Sequence, residues 1–377
     1  MAKQKKACLT DLVGLLNVLY APGLAEDWDN VGLQIGDPTA EIKRVLVCLD
    51  AEEIAIEAAV RADAQLVVSH HPLIFKGLKR LTPSDEVGRV LFRAIRNNIA
   101  VFSAHTNLDR AADGLNDWLA ARIGIENCQP LEKPQRAGYY KLVVFVPQGH
   151  ETALMEALFA AGAGNIGQYD HCSFRTEGIG SFRGSEATDP FIGLPGQHEE
   201  TGEFRLETIV PGARLTKVVE RMRKAHPYEE VAYDLIPLAN SRDDIGLGRI
   251  GRLAEETSLQ QFAEQMRERL NLPSLRLVGD RMQKINKVAV CGGSGASLLS
   301  EALRQGADCL VTGDVKYHDA QRARSEGLAL IDAGHFGTEK LMVPELAVRL
   351  RHALDERRLP VEVIEMAAEQ DPFTTIC

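Results

Sequence analysis

Four histidines stand where apolar runs end. His70 and His71 close Gln65-Leu-Val-Val-Ser-His-His71, His105 closes Ile99-Ala-Val-Phe-Ser-Ala-His105, and His335 closes Leu328-Ala-Leu-Ile-Asp-Ala-Gly-His335. Four residues past His105 comes Asp109, and four past His335 comes Glu339. Imidazole and carboxylate donors without thiolate suit zinc, iron(II), manganese or cobalt better than copper(I) or calcium. Neighbouring side chains on an extended segment point to opposite sides, so His70 and His71 are placed to serve two different ions, and a carboxylate such as Glu339 can bridge them. Two divalent cations sharing one water would lower its pKa and supply a nucleophile near neutral pH. The expected metal ligands are therefore His70, His71, Asp109, His335 and Glu339.

These residues need a scaffold that brings distant segments together. Val45–Asp50, a helical stretch from about Glu53 to Arg61, and Gln65–His71 read as strand, helix, strand. Val288–Gly293, a helical stretch from about Ser297 to Gln305, and Cys309–Asp314 repeat that order. The short apolar strands suit parallel pairing with helical crossovers, and ligand sites of such sheets lie at the carboxyl ends of strands. The repeat continues through the runs ending in His105 and His335, so two related α/β halves facing one another are expected. The segment between them differs. Strands at Tyr140–Val146, Tyr169–Thr176, Glu203–Pro211 and Val231–Pro237, with helices at Glu151–Ala161 and Leu215–Ala225, give the βαββαβ order of a ferredoxin-like module. Pro130 and Pro134 before it, and Asn240-Ser-Arg-Asp-Asp after it, read as linkers. The expected fold class is α/β, with halves at 1–137 and 241–377 and an inserted domain at 138–240.

Composition narrows the function further. A net charge of −10 argues against a general nucleic-acid binder, which needs a basic face, but leaves room for one nucleotide in a local pocket. The seven cysteines form no CxxC pair, so a reducing, cytoplasmic setting is expected. No apolar run reaches the roughly 20 residues of a membrane span. Lys3 to Lys6 followed by Leu12–Tyr20 mimics a signal peptide, but Leu9, Leu12, Val13, Leu16 and Leu19 follow helical spacing and predict an amphipathic first helix. Gly246-Leu-Gly-Arg-Ile-Gly251 matches GxGxxG without the strand before it or the βα turn after it that a dinucleotide site requires. Cys291-Gly-Gly-Ser-Gly295 follows a strand and opens a helix, so it reads either as a phosphate-binding turn or as a tight turn needing small residues. Gly313-Asp-Val-Lys-Tyr-His318 occupies the repeat position of His70-His71 and is a candidate for supporting the ligands or contacting substrate.

The stretches Trp28-Asp-Asn-Val-Gly-Leu-Gln-Ile-Gly36, Ser69-His-His-Pro-Leu-Ile-Phe75, Ala104-His-Thr-Asn-Leu-Asp109, Gly313-Asp-Val-Lys-Tyr-His-Asp-Ala320 and Asp332-Ala-Gly-His-Phe-Gly-Thr-Glu339 together resemble the Nif-three-like dinuclear metal proteins. This family is also known as GTP cyclohydrolase I type-2 homologs, and the resemblance is strongest to its longer, YqfO-like form and covers essentially the whole chain. It implies metal ligation by the same five residues and a toroidal homohexamer with metal sites facing an internal cavity. It also implies that the insert is a CutA/PII-like module, whose signature His226-Pro-Tyr-Glu-Glu-Val-Ala-Tyr233 resembles. The activity it implies is nucleotide hydrolysis, in which the imidazole ring of GTP opens and formate leaves. His105 or His318 would then carry a proton and Lys316 would meet a phosphate. Two-metal phosphoester hydrolysis, and a non-enzymatic regulatory or scaffold protein whose insert senses a ligand, are the alternatives.

Overall fold

In the computed structural model, residues 6–133, 138–167, 169–240, 243–367 and 369–374 are described. Pro134 of the first expected linker, Ser241 and Arg242 of the second, Lys3 to Lys5 and Cys377 lie outside them. The chain divides into two compact units, Met1–Lys133 with Asp243–Cys377, and Pro134–Arg242.

In the larger unit the chain begins with α1 (Leu9–Leu19), then β1 (Gly32–Ile35), β2 (Arg44–Asp50), α2 (Glu53–Arg61), β3 (Leu66–His71), α3 (Glu86–Arg96), β4 (Ala100–Ser103), α4 (Thr106–Arg110), α5 (Leu115–Ile123) and β5 (Ile125–Glu132). The smaller unit holds β6 (Tyr139–Pro147), α6 (Glu151–Ala161), β7 (Ser173–Arg183), β8 (His198–Pro211), α7 (Leu215–Ala225) and β9 (Tyr233–Leu238). The larger unit resumes with β10 (Leu247–Ser258), α8 (Leu259–Arg269), β11 (Arg276–Val278), β12 (Lys284–Val290), α9 (Leu299–Arg304), β13 (Cys309–Thr312), α10 (Tyr317–Ser325), β14 (Ala329–Asp332), α11 (His335–Glu339), α12 (Met342–Glu356) and β15 (Glu362–Glu365).

The sequence repeat becomes a repeat of topology. One sheet runs β1-β4-β3-β2-β15 and the other β11-β14-β13-β12-β10-β5. In each, three parallel strands (β2, β3, β4 or β12, β13, β14) are flanked by a short antiparallel strand, β1 or β11. The period of two along each strand assigns its side chains to two layers. Val45, Val47, Leu49, Val288 and Val290 join one core shared by both sheets, together with α1, α5, α8 and α12. Leu46 and Cys48 pack outward with α2 and α3, and Ala289, Leu310 and Leu330 outward with α9 and α10. Strands buried on both faces explain why these runs are continuously apolar.

The halves also exchange edges, which the sequence reading did not anticipate. β15, from the end of the chain, pairs in parallel with β2, while β5, from the first half, pairs with β10 in the other sheet. Pro130 is accordingly not in a linker: it sits in β5 opposite Arg249, on an edge strand where a missing N–H is tolerated. The GxGxxG stretch begins in the bend before β10 and runs into that strand, so it opens no helix. Its Arg249 is 1% exposed and spends its donors on both Asp117 carboxylate oxygens (2.6 and 2.7 Å) and the carbonyls of Ala111, Gly246 and Gly248.

The smaller unit has sheet order β7-β8-β6-β9 with all neighbours antiparallel, the ferredoxin-like arrangement, over its own core of Leu142, Val144, Leu158, Val218 and Met222. β7 and β8 run further than the sequence suggested because the exposed residues of β7, with Gly178 and Gly180 among them, carry no alternation to read. Among the described residues, no helix is long and apolar enough to cross a membrane.

Replacing a buried, fully bonded guanidinium strands the acceptors that face it. Arg249→Met is expected to destabilise the larger unit by about 3 kcal/mol, read from its urea transition.

Candidate metal centre

The carboxyl ends of the parallel strands deliver the chemistry. β3 ends in His70 and His71; β4 leads through Ala104 to His105, with Asp109 one turn further along α4. In the other sheet β14 leads through Gly334, at φ +76°, into α11, whose first and last residues are His335 and Glu339. The i, i+4 spacing places those two side chains on one helical face.

All four imidazoles are oriented in the same way. Nδ1 of His70 meets the Ala104 carbonyl at 2.8 Å, and Nδ1 of His71 meets Asp50 at 2.7 Å. Nδ1 of His105 meets Asp29 at 3.0 Å, and Nδ1 of His335 meets Asp314 at 2.7 Å. A carbonyl or carboxylate only accepts, so each Nδ1 carries a proton, and each ring in its neutral form keeps its lone pair on Nε2. This is how metal-ligating histidines are held.

The Nε2 atoms of His70, His71 and His335 converge on buried carboxylates. His71 Nε2 and His335 Nε2 are 3.3 Å apart, and Glu339 Oε2 lies 3.1 Å from the first and 3.0 Å from the second. The other oxygen, Oε1, faces His70 Nε2 at 3.7 Å, and Asp109 Oδ1 lies 3.6 Å from the same nitrogen. His70 is fully buried and Glu339 is 4% exposed, yet His70 Nε2 and Asp109 Oδ1 have no hydrogen-bond partner, and Glu339 Oε2 meets the ring nitrogens of His71 and His335. Orphaned polar atoms in a folded interior are costly and call for an explanation. A cation supplies one: donors held about 2.0–2.1 Å from a tetrahedral ion lie roughly 3.3 Å from one another, the spacing seen among His71, His335 and Glu339. His71, His335 and Glu339 form one group able to hold a metal ion; His70, His71 and His105 form another.

The profile of the Duf34/NIF3 (NGG1p interacting factor 3) family matches residues 7–372. The chain belongs to the Duf34/NIF3 family. A relative from Halalkalibacterium halodurans called GTP cyclohydrolase 1 type 2 homolog is 42% identical over 353 residues, covering 94% of this chain and 95% of the relative. One of the same name from Bacillus subtilis is 39% identical over 363 residues, covering 96% and 97%. The crystal structure of a Bacillus cereus protein related to NIF3 superposes with TM-score 0.85 at 39% identity, covering 99% of this chain and all of that one.

In this family member the other residues singled out from sequence fall into two groups. His105 belongs to the cluster, its ring centroid 5.1 Å from that of His70 and 5.5 Å from that of His71. Lys316 and His318 do not join it: both are exposed at the start of α10, where His318 meets Gln321 and the ring of Tyr317. Their neighbour Asp314 is the residue of that stretch that reaches the site. The Cys291–Gly295 turn has its amides engaged already, Gly292 by Asn116, Gly293 by Thr338 and Gly295 by Thr312, so it is a tight turn and not a phosphate cradle. Gly293, at φ +58°, lies so close to the cluster that a Cβ would stand 2.2 Å from Glu339 Oε1.

Asp50 and Asp29 were not singled out. Asp50 sits opposite His71 in the β2–β3 register, a pairing that could have flagged it, whereas Asp29 lies in a loop and stood out only as part of the Trp28–Gly36 stretch. Beside His71 and His335 a cavity of about 1210 Å³ opens, with Asp50, Glu52, Asp314 and Glu369 in its wall.

The protons of the cluster are shared. Burial works against charge on His71, but its bonds to Asp50 and Glu339 outweigh that and raise its pKa to about 10. The bond to Glu339 leads in raising His335 to about 9. Burial pushes Asp109 up to about 7, while Glu339, despite burial, is held well below the usual carboxylate range by His70 and its histidine bonds. Metal ions take only deprotonated imidazoles, so protons compete with them.

Two outcomes follow. Zinc or iron(II) affinity should climb steadily from pH 6 to pH 9, measured by chelator competition, because His71 and His335 give up their protons across and above that range. Asp50→Asn should lower affinity by roughly 10- to 100-fold by the same measurement, since it frees the His71 ring while leaving its donor atom in place.

Proposed function

We propose that this protein is a dinuclear, divalent-metal-dependent hydrolase acting on a nucleotide. The observation that carries the reading is the division of Glu339: Oε2 faces His71 and His335, while Oε1 faces His70 in company with Asp109. His71, His335 and Glu339 Oε2 would hold one ion, and His70, Asp109 and Glu339 Oε1 the second, with zinc or iron suited best and manganese or cobalt also compatible. Such a pair of cations supplies Lewis acidity and a water of lowered pKa.

The chain's own residues do the rest. Asp50 and Asp314 fix the tautomers of His71 and His335. His105, its Nδ1 held by Asp29, presents Nε2 as the group that takes a proton from the attacking water and returns it to the leaving nitrogen. Lys316 and His318, exposed at the start of α10 and outside the cluster, are left without a role in this reading. The name borne by the relatives, GTP cyclohydrolase 1 type 2 homolog, supports a specific reaction: opening of the purine imidazole ring with loss of C8 as formate.

The same donor set suits a two-metal phosphoesterase, and one assay separates the two. Protein loaded with one metal at a time is given GTP, and formate and inorganic phosphate are measured against His71→Ala. Formate at least a hundredfold above the variant supports ring opening; phosphate without formate supports the phosphoesterase; neither, with metal bound stoichiometrically, returns the protein to a regulatory or scaffold role. The separate packing of Pro134–Arg242 favours that last reading as the runner-up, with the unit as a CutA/PII-like ligand sensor. A cytoplasmic homohexamer remains part of the proposal, and sedimentation of the purified chain reads the assembly.

A further inference from the structure

The loop that follows His71 carries three cations the mechanism does not use. Lys76, Lys79 and Arg80 are exposed, and among the described residues none has a hydrogen-bond or ion-pair partner. Immediately before them Phe75, 47% exposed, packs on Trp28, 59% exposed, with ring centroids 5.7 Å apart. Trp28 in turn meets His105 edge-on at 6.0 Å, one ring away from His70 and His71. Large aromatic surface left in water beside a cluster of buried donors marks either a ligand site or a contact between copies, and its nearness to the donors favours the ligand.

The pair is held in place and not merely adjacent. Asn30 Nδ2 donates to the Ile74 carbonyl at 2.5 Å, and Ile74 N donates to Gln34 Oε1 at 3.1 Å, which ties the Phe75 segment to the Trp28 segment. The acids near Trp28 are engaged: Glu26 pairs with Arg110, and Asp29 is held by His105 and Thr106. Asp27 also has a partner. The acids of the Trp28 segment therefore leave the three cations of the loop uncompensated. The cavity beside His71 and His335 is the reverse, with Asp50, Glu52, Asp314 and Glu369 in its wall and Arg276 drawn to Asp332. A polyanion is repelled there and attracted here.

We propose that Trp28 and Phe75, with Lys76, Lys79 and Arg80, form a subsite that stacks a planar heterocycle and receives its anionic tail, setting the ring beside His105. This rests on the nucleotide-hydrolase reading and names the residues that would select the substrate. Aromatic faces bind any base, so the platform supplies affinity for a heterocycle and the cations supply preference for a phosphorylated one.

Trp28 reports on its own occupancy, because the other tryptophan, Trp118, is 4% exposed and marks the folded core. Full-length protein is titrated with GTP, guanosine and inorganic triphosphate while tryptophan emission is followed. GTP should quench saturably, guanosine more weakly, and triphosphate should compete without quenching. Trp28→Leu should weaken GTP binding about tenfold by equilibrium dialysis, the scale of one base–aromatic stack. Lys76→Ala with Lys79→Ala and Arg80→Ala should cost GTP about tenfold, remove its salt dependence and leave guanosine within twofold. Trp118 emission and thermal unfolding verify that each variant is folded.

His71→Ala separates the two readings: quenching that survives while formate release is lost supports both. Quenching with neither formate nor phosphate in any metal form keeps the subsite and ends the hydrolase. Formate release with unchanged KM for GTP in Trp28→Leu and the triple variant overturns the subsite, as does a change of sedimentation in Trp28→Leu, which would make this face a contact between copies.

Discussion

A single buried carboxylate sets the terms for this protein. Glu339 turns one oxygen toward His71 and His335 and the other toward His70, and it does so at 4% exposure, where an unsatisfied anion is costly. The arrangement persists only if the end of β3 and the start of α11 are held at fixed separation. The strands that carry them belong to different sheets, so the separation is set by the side chains packed between those sheets. Val47, Val68, Val290 and Val311, with α5 and α12, form that shared layer. Packing is thus the physical cause of the site: interiors at crystal-like density do not yield by the several tenths of an ångström that would uncouple the donors.

The imidazoles show the same economy one bond further out. Each spends its Nδ1 proton on an acceptor supplied by a strand end or a nearby loop, so ring orientation is fixed before any ligand arrives. Asp50 reaches His71 because the two are register partners across β2 and β3, and Asp314 reaches His335 from the loop after β13. The cost is a concentration of acids around the centre, and that cost has a directional consequence. The wall near His71 and His335 is negative, whereas the loop beyond Phe75 is positive, on a chain whose net charge is −10. An anionic ligand therefore meets two unlike faces of the same cluster.

Much of this was legible in the sequence, for a definite reason. Strands buried on both faces are short, continuous and apolar, so β2, β3, β12, β13 and β14 announce themselves, and histidines at their ends stand out against them. The repeat between halves was readable because both copies keep strand, helix, strand spacing. What escaped depends on contacts between distant segments. Nothing in Glu362–Glu365 says that it will extend the sheet of the first half, and Pro130 looks like a linker until its edge position beside β10 is known. Likewise Lys316 and His318 have suitable chemistry but sit on the exposed face where α10 begins, a matter of helix phase that residue type does not encode.

The turn at Gly293 joins these threads. Its sequence, glycine-rich between strand and helix, is that of a phosphate-binding turn, yet its amides are engaged by Asn116, Thr338 and Thr312. Two of those three partners have second duties: Thr338 lies in α11 between His335 and Glu339, and Thr312 ends β13, two residues before Asp314. The glycine is required because the Glu339 carboxylate passes where a Cβ would be. The turn therefore works on the protein itself, bracing the helix that bears Glu339 against the strand end that leads to Asp314. A motif defined by small residues records close approach, and only the structure tells what approaches: in this chain it is the protein's own carboxylate.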